Sequence, residues 1–76
     1  MYKSLVEYIV KSLVDNPDQV EVREIEKASN VILEVSVADG DMGRVIGKSG
    51  RVINSIRTLA QASGGRDRKR ISIEIV

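Results

Sequence analysis

The chain has 76 residues, 12 basic and 11 acidic, with neither cysteine nor histidine. That length allows one small domain, and the missing residue types exclude disulfides, thiolate metal sites and the usual general base and metal ligand. The net charge of +1 hides a division: residues 1–43 hold four bases and nine acids, a net of −5, whereas residues 44–70 hold eight bases against Asp67 alone, a net of +7.

From Tyr2 to Val14 the apolar residues Tyr2, Leu5, Val6, Ile9, Val10, Leu13 and Val14 recur at spacings of three and four. This predicts an amphipathic helix, with Lys3, Glu7 and Lys11 spaced i,i+4 on its other side. Glu7, Lys11 and Asp15 interrupt the apolar residues, so the segment reads as neither a signal peptide nor a membrane span, and a cytoplasmic protein is expected. Asp15-Asn16-Pro17 stops the helix, because proline forces its predecessor out of the helical region. Val20–Lys27 predicts a strand with a phase slip at Arg23-Glu24, since Val22 and Ile25 fall on opposite faces; a bulge or an edge-strand irregularity accounts for it. After a tight turn at Ala28-Ser29-Asn30, Val31, Leu33, Val35 and Val37 alternate with Ile32, Glu34, Ser36 and Ala38 in the cleanest strand of the chain.

Asp39-Gly40-Asp41 ends that strand, and Asp41 is expected to cap a short helical turn over Met42–Ile46. Gly47-Lys48-Ser49-Gly50 forms a turn, and a second helix runs from about Gly50 to Ala62. Its inner side takes Val52, Ile53, Ile56, Leu59, Ala60 and Ser63; Arg51, Asn54, Ser55, Arg57 and Thr58 are candidates for exposure. Gly64-Gly65 terminates the helix, Arg66 to Arg70 is a basic loop, and Ile71, Ile73 and Ile75 alternate with Ser72, Glu74 and Val76 in a last strand. The order predicts an α+β fold. It is one three-stranded mixed sheet, a hairpin plus a parallel strand after a helical crossover, with the helices on one face. No repeat or linker divides the chain, so residues 1–76 read as a single domain.

Gly43-Arg44-Val45-Ile46-Gly47-Lys48-Ser49 looks like a nucleotide-binding P-loop, but that loop needs four residues between its first glycine and the Gly-Lys pair. Here three intervene from Gly43 and six from Gly40, so the nucleotide reading fails. The acids Glu21, Glu24, Glu26 and Asp39 stand beside no nucleophile and no histidine; they read as solvent-facing or paired charges. The reading left is helix, Gly-x-x-Gly, helix. Such a turn leaves N–H groups at the next helix's start unpaired, free to donate to phosphate oxygens. Lys48 adds charge, Ser49 a hydroxyl donor, and the two glycines allow a nucleic-acid backbone to come close. An ordinary connection with Lys48 and Ser49 merely solvated is the plainer alternative; the +7 segment favours a polyanion.

The stretch Val45-Ile46-Gly47-Lys48-Ser49-Gly50-Arg51-Val52-Ile53 resembles the signature of the KH domain, an RNA-binding module whose Gly-x-x-Gly loop clamps backbone nucleotides. The element order resembles the type II arrangement, α-β-β-α-α-β, and the size and whole-chain likeness are similar to the KhpA family of small bacterial RNA-binding proteins. This resemblance implies a non-enzymatic RNA chaperone or post-transcriptional regulator without a cofactor. It further implies a groove for about four single-stranded nucleotides. Phosphates would meet Gly47, Lys48, Ser49 and Gly50. Bases would rest on Val45, Ile46 and Ile53, with polar contacts from Arg44, Arg51 and Asn54. The sheet edge and the loop Gly64–Arg70 would form the opposite wall. There Arg66, Arg68, Lys69 and Arg70 either touch RNA or make a solvated basic loop. Val52, Ile53, Ile56 and Leu59 read first as core, with Ile53 able to serve both roles. The resemblance also implies homodimers and pairing with a KhpB or Jag-type RNA-binding protein, and a link to cell-shape and cell-wall control in some bacteria. A dimerisation module with secondary RNA binding is the alternative function. The residues add one constraint of their own: the only aromatics are Tyr2 and Tyr8, so the basic half has no aromatic stacking platform.

Overall fold

The strict alternation after Asn30 makes that segment the middle strand. In the computed structural model, which describes residues 2–64 and 69–76, β2 (Asn30–Ser36) lies between β1 (Glu21–Glu26) and β3 (Arg70–Ile75). β1 pairs with it antiparallel and β3 parallel. The inward side chains Val31, Leu33 and Val35 are fully buried, as the period of two requires. The register sets Val31 beside Ile71 and Leu33 beside Ile73, so one face of the sheet is a continuous aliphatic layer. Each such side chain contributes roughly 1.5–3 kcal/mol through burial.

Three helices cover that face: α1 (Tyr2–Leu13), α2 (Met42–Ile46) and α3 (Arg51–Gly64). They send Val6 and Val10, Val45, and Ile53, Ile56 and Ala60 into the common core. The predicted α-β-β-α-α-β order and the three-stranded mixed sheet are therefore present. No described helix is long and apolar enough to cross a membrane. Gly65, Arg66 and Arg68 of the expected helix stop and basic loop lie outside the described residues.

Three local expectations are corrected. There is no bulge at Arg23-Glu24: β1 pairs with β2 one to one from Glu21–Ser36 to Glu26–Val31. Ile25 simply sits on the open face beside Ile32, while Val22, on the helix face, is buried. Leu59 is not inner; it is 52% exposed, because the buried stripe of α3 runs through Ile53, Ile56 and Ala60 and leaves Leu59 on the flank. Asp41 stands at the N-cap position of α2, as expected, but its side chain makes no capping hydrogen bond there.

Asp41 instead closes the other end of the helical layer. It is almost completely buried. Its Oδ1 accepts from the Asp15 N–H at 3.1 Å, and Oδ2 accepts from the Asn16 N–H at 3.0 Å and Asn16 Nδ2 at 3.1 Å. The donors belong to the turn after α1, freed where Pro17 ends the helix, so this carboxylate ties that turn to the start of α2. Burial pushes the Asp41 pKa up. The Asp15 N–H, the Asn16 side chain, the Asn16 N–H and the charge of Arg44 more than offset this and hold it below the usual aspartate value. A lowered folded pKa gives stability that is complete above the unfolded aspartate value of about 3.9 and fades as pH falls through the folded one. Asp41→Asn is expected to lower the thermal midpoint at pH 7 by roughly 5–15 °C. The gap to the parent chain should narrow below about pH 4, where the parent loses the same contribution. Melting curves from pH 7 to pH 3 check this; a gap independent of pH rules out the ionised network.

Candidate nucleic-acid interface

The turn between α2 and α3 is made by backbone that most residues avoid. Gly47 has φ 75°, Ser49 φ 58° and Gly50 φ 74°. Ser49 lies in the left-handed region, which costs a side-chain-bearing residue about 1–2 kcal/mol, and nothing in its residue type announces this. The Gly47 N–H donates to the Gly43 carbonyl at 2.8 Å, closing α2, and the Gly50 N–H to the Gly47 carbonyl at 3.2 Å. The Arg51 N–H donates to the Lys48 carbonyl. Lys48 and Ser49 stand in the single tight turn that leads from Gly47 into α3, with Ser49 off helical backbone. Both side chains are exposed, and Lys48 has no ion pair among the described residues. The turn thus offers a hydroxyl and an ammonium beside the start of α3, the chemistry that holds an oxyanion.

The next feature along α3 is a cleft of about 400 Å³ against the outer edge of β3, lined by Arg57, Thr58, Gln61, Ala62 and Ile71. β3 is an edge strand, and α3 side chains take up part of its free backbone. Gln61 Oε1 accepts from the Ile71 N–H at 2.9 Å, and Gln61 Nε2 donates to the Lys69 carbonyl at 3.2 Å. Arg57 Nη2 donates to the Ile73 carbonyl at 3.2 Å, and its Nη1 to Asn54 Oδ1 at 3.0 Å.

A family model described as KhpA/KhpB, KH domain, matches residues 3–75. The chain belongs to this KH-domain family. Among curated relatives, the RNA-binding protein KhpA of Caldanaerobacter subterraneus subsp. tengcongensis is 51% identical over 95% of this chain and 96% of its own length. Those of Clostridium acetobutylicum and Chlamydia trachomatis are 49% and 45% identical, each over 97% of this chain, and over 99% and 95% of their own lengths. No solved structure matches the chain.

Within this KH domain the residues expected at the interface divide. Gly47, Lys48, Ser49 and Gly50 form the turn, and Arg51 and Asn54 are exposed on α3 directly after it. Ile46 is half-buried beside the turn. Val45 is fully buried and Ile53 6% exposed, so Ile53 takes the core place read for it first, and Val45, expected as a base contact, presents no surface for a base. Arg44 is exposed but pairs with Asp15 at 3.2 Å. Lys69 is turned to Glu26 in an ion pair across the sheet. Arg70 stands opposite Asn30 on the open face, away from the cleft, while Arg68 lies outside the described residues. The sequence reading left out Arg57 and Gln61 as site residues. The spacing Asn54, Arg57/Thr58, Gln61 puts a polar stripe on one flank of α3, and that stripe was the available signal.

Proposed function

We infer that this chain is a non-enzymatic, single-domain binder of single-stranded RNA that grips the phosphate backbone at the turn Gly47-Lys48-Ser49-Gly50. The observation that carries the reading is the exposed Lys48 ammonium and Ser49 hydroxyl, presented side by side on a turn with positive φ at both glycines. The relatives' name, RNA-binding protein KhpA, and the +7 charge of residues 44–70 support the same ligand. Arg51 and Asn54 extend the contact along α3. One groove of about four nucleotides reads few bases, which suits a cytoplasmic RNA chaperone or post-transcriptional regulator better than a sequence-specific repressor.

A second reading is protein contact as the main role, in a homodimer or with a KhpB or Jag-type RNA-binding partner. It is favoured by Leu59, an apolar side chain left 52% exposed on α3. One titration separates the two. A labelled single-stranded RNA, bound at low salt and then at rising salt, is expected to show affinity falling linearly on a log–log plot, with a slope of about −0.7 per phosphate neutralised. Absence of binding even at low salt removes the RNA reading and leaves the protein-contact one.

A further inference from the structure

The basic half of this chain contains no aromatic residue, yet a KH groove must hold bases as well as phosphates. We propose that Arg57 supplies the stacking surface: one unpaired base of the bound RNA lies flat on its guanidinium in the cleft between α3 and β3. The proposal rests on the RNA-binding reading above and adds a nucleobase site to it.

Three observations carry it. First, the Arg57 guanidinium is exposed but not free. Nη1 is held by Asn54 Oδ1 on α3 and Nη2 by the Ile73 carbonyl on β3. A planar group fixed at two nitrogens cannot swing, so its face is set in place before any ligand arrives. Guanidinium planes stack on bases as aromatic rings do, which an ammonium cannot match. Second, the cleft beside it has about 400 Å³, within the range of about 300–1,000 Å³ typical of small-ligand sites. One turn further along α3, Gln61 is likewise tied to the Ile71 N–H and the Lys69 carbonyl. A cleft whose polar side chains are already held in place loses little entropy on filling. Third, Arg57 lies on α3 seven residues after Gly50 of the turn, about 10 Å along the helix axis. A strand held at Lys48 and Ser49 reaches that far within the four nucleotides a KH groove holds.

The test compares two ligands and two proteins. One ligand is a short oligoadenylate; the other is an abasic ribose–phosphate chain of equal length. The proteins are the full parent chain and Arg57→Lys, which keeps the charge and loses the plane. The parent is expected to prefer oligoadenylate, and that preference should shrink about three- to thirty-fold in Arg57→Lys, while affinity for the abasic chain and the salt slope stay as in the parent. A merely structural role for Arg57 would weaken both ligands alike, and that result overturns the proposal, as does an unchanged preference. If the parent binds neither ligand, the RNA-binding reading fails and this one with it. If the parent binds both and Arg57→Lys keeps its preference, only the stacking fails.

Discussion

Replacing Lys48 and Ser49 together by aspartate is expected to lower affinity for single-stranded RNA by about two orders of magnitude while leaving the thermal midpoint nearly unchanged. A hydrogen bond to a charged group is worth about 1.5–3 kcal/mol, and the double variant removes one such ammonium contact and one hydroxyl donor. It also places two carboxylates where phosphates come, adding repulsion to the loss. The fold has no reason to object. Both side chains are exposed, Lys48 has no ion pair among the described residues, and aspartate is one of the residues best tolerated at the positive φ that Ser49 adopts. The salt dependence should flatten as well, since fewer counterions are released on binding. Unchanged affinity in this variant removes the turn from the mechanism. An acidic substitution at Gly47 could not give so clear an answer, because a Cβ there meets Val52 Cγ2 at 2.4 Å, and lost binding would be confounded with lost fold.

What could be read in the sequence follows from where the physics is local. The α-β-β-α-α-β order rests on apolar periods of 3.6 and 2, and those periods are what the core enforces: Val6 and Val10 in α1, and Val31, Leu33 and Val35 in β2, are buried as their spacing demands. The short helix Met42–Ile46 and the turn after it were legible from glycine placement. The misreadings share a different cause, in that each depends on a partner distant in sequence. Asp41 looked like a local cap, but its acceptors are claimed by Asp15 and Asn16, 26 and 25 residues away. Ile25 looked out of phase until its cross-strand partner Ile32 placed it on the open face. Val45 sits inside the signature stretch and reads as a base contact, yet packing consumes it entirely. Arg57 and Gln61 gain meaning only from the free edge of β3, which no stretch of α3 reveals.

The two glycines of the turn look equivalent in sequence, and the structure gives them unequal burdens. At Gly47, φ 75° with ψ 173° is a conformation essentially reserved to glycine, costing other residues about 1–3 kcal/mol. A Cβ there also meets Val52 Cγ2 at 2.4 Å, Val52 Cβ at 2.8 Å and the Val52 N at 3.0 Å, and forced overpacking of this kind costs typically about 1–3 kcal/mol more. Gly47→Ala is therefore expected to lose about 3–5 kcal/mol from a domain whose whole stability is about 4–11 kcal/mol at usual per-residue values. That corresponds to a drop of roughly 15–30 °C in midpoint. At Gly50 a Cβ finds only Asn54 Nδ2 at 3.7 Å and Ile53 Cγ2 at 3.9 Å. Gly50→Ala meets only the left-handed backbone cost of about 1–2 kcal/mol and should lower the midpoint by about 5–10 °C. Calorimetry on the two variants checks the ranking, and equal drops would mean that contact with Val52 is not what Gly47 serves. Because Gly50→Ala stays folded, its RNA affinity isolates the other demand on the turn. A methyl on the path of the phosphate backbone weakens binding if the strand comes as close as the missing side chains allow, and leaves it intact if Lys48 acts only at a distance.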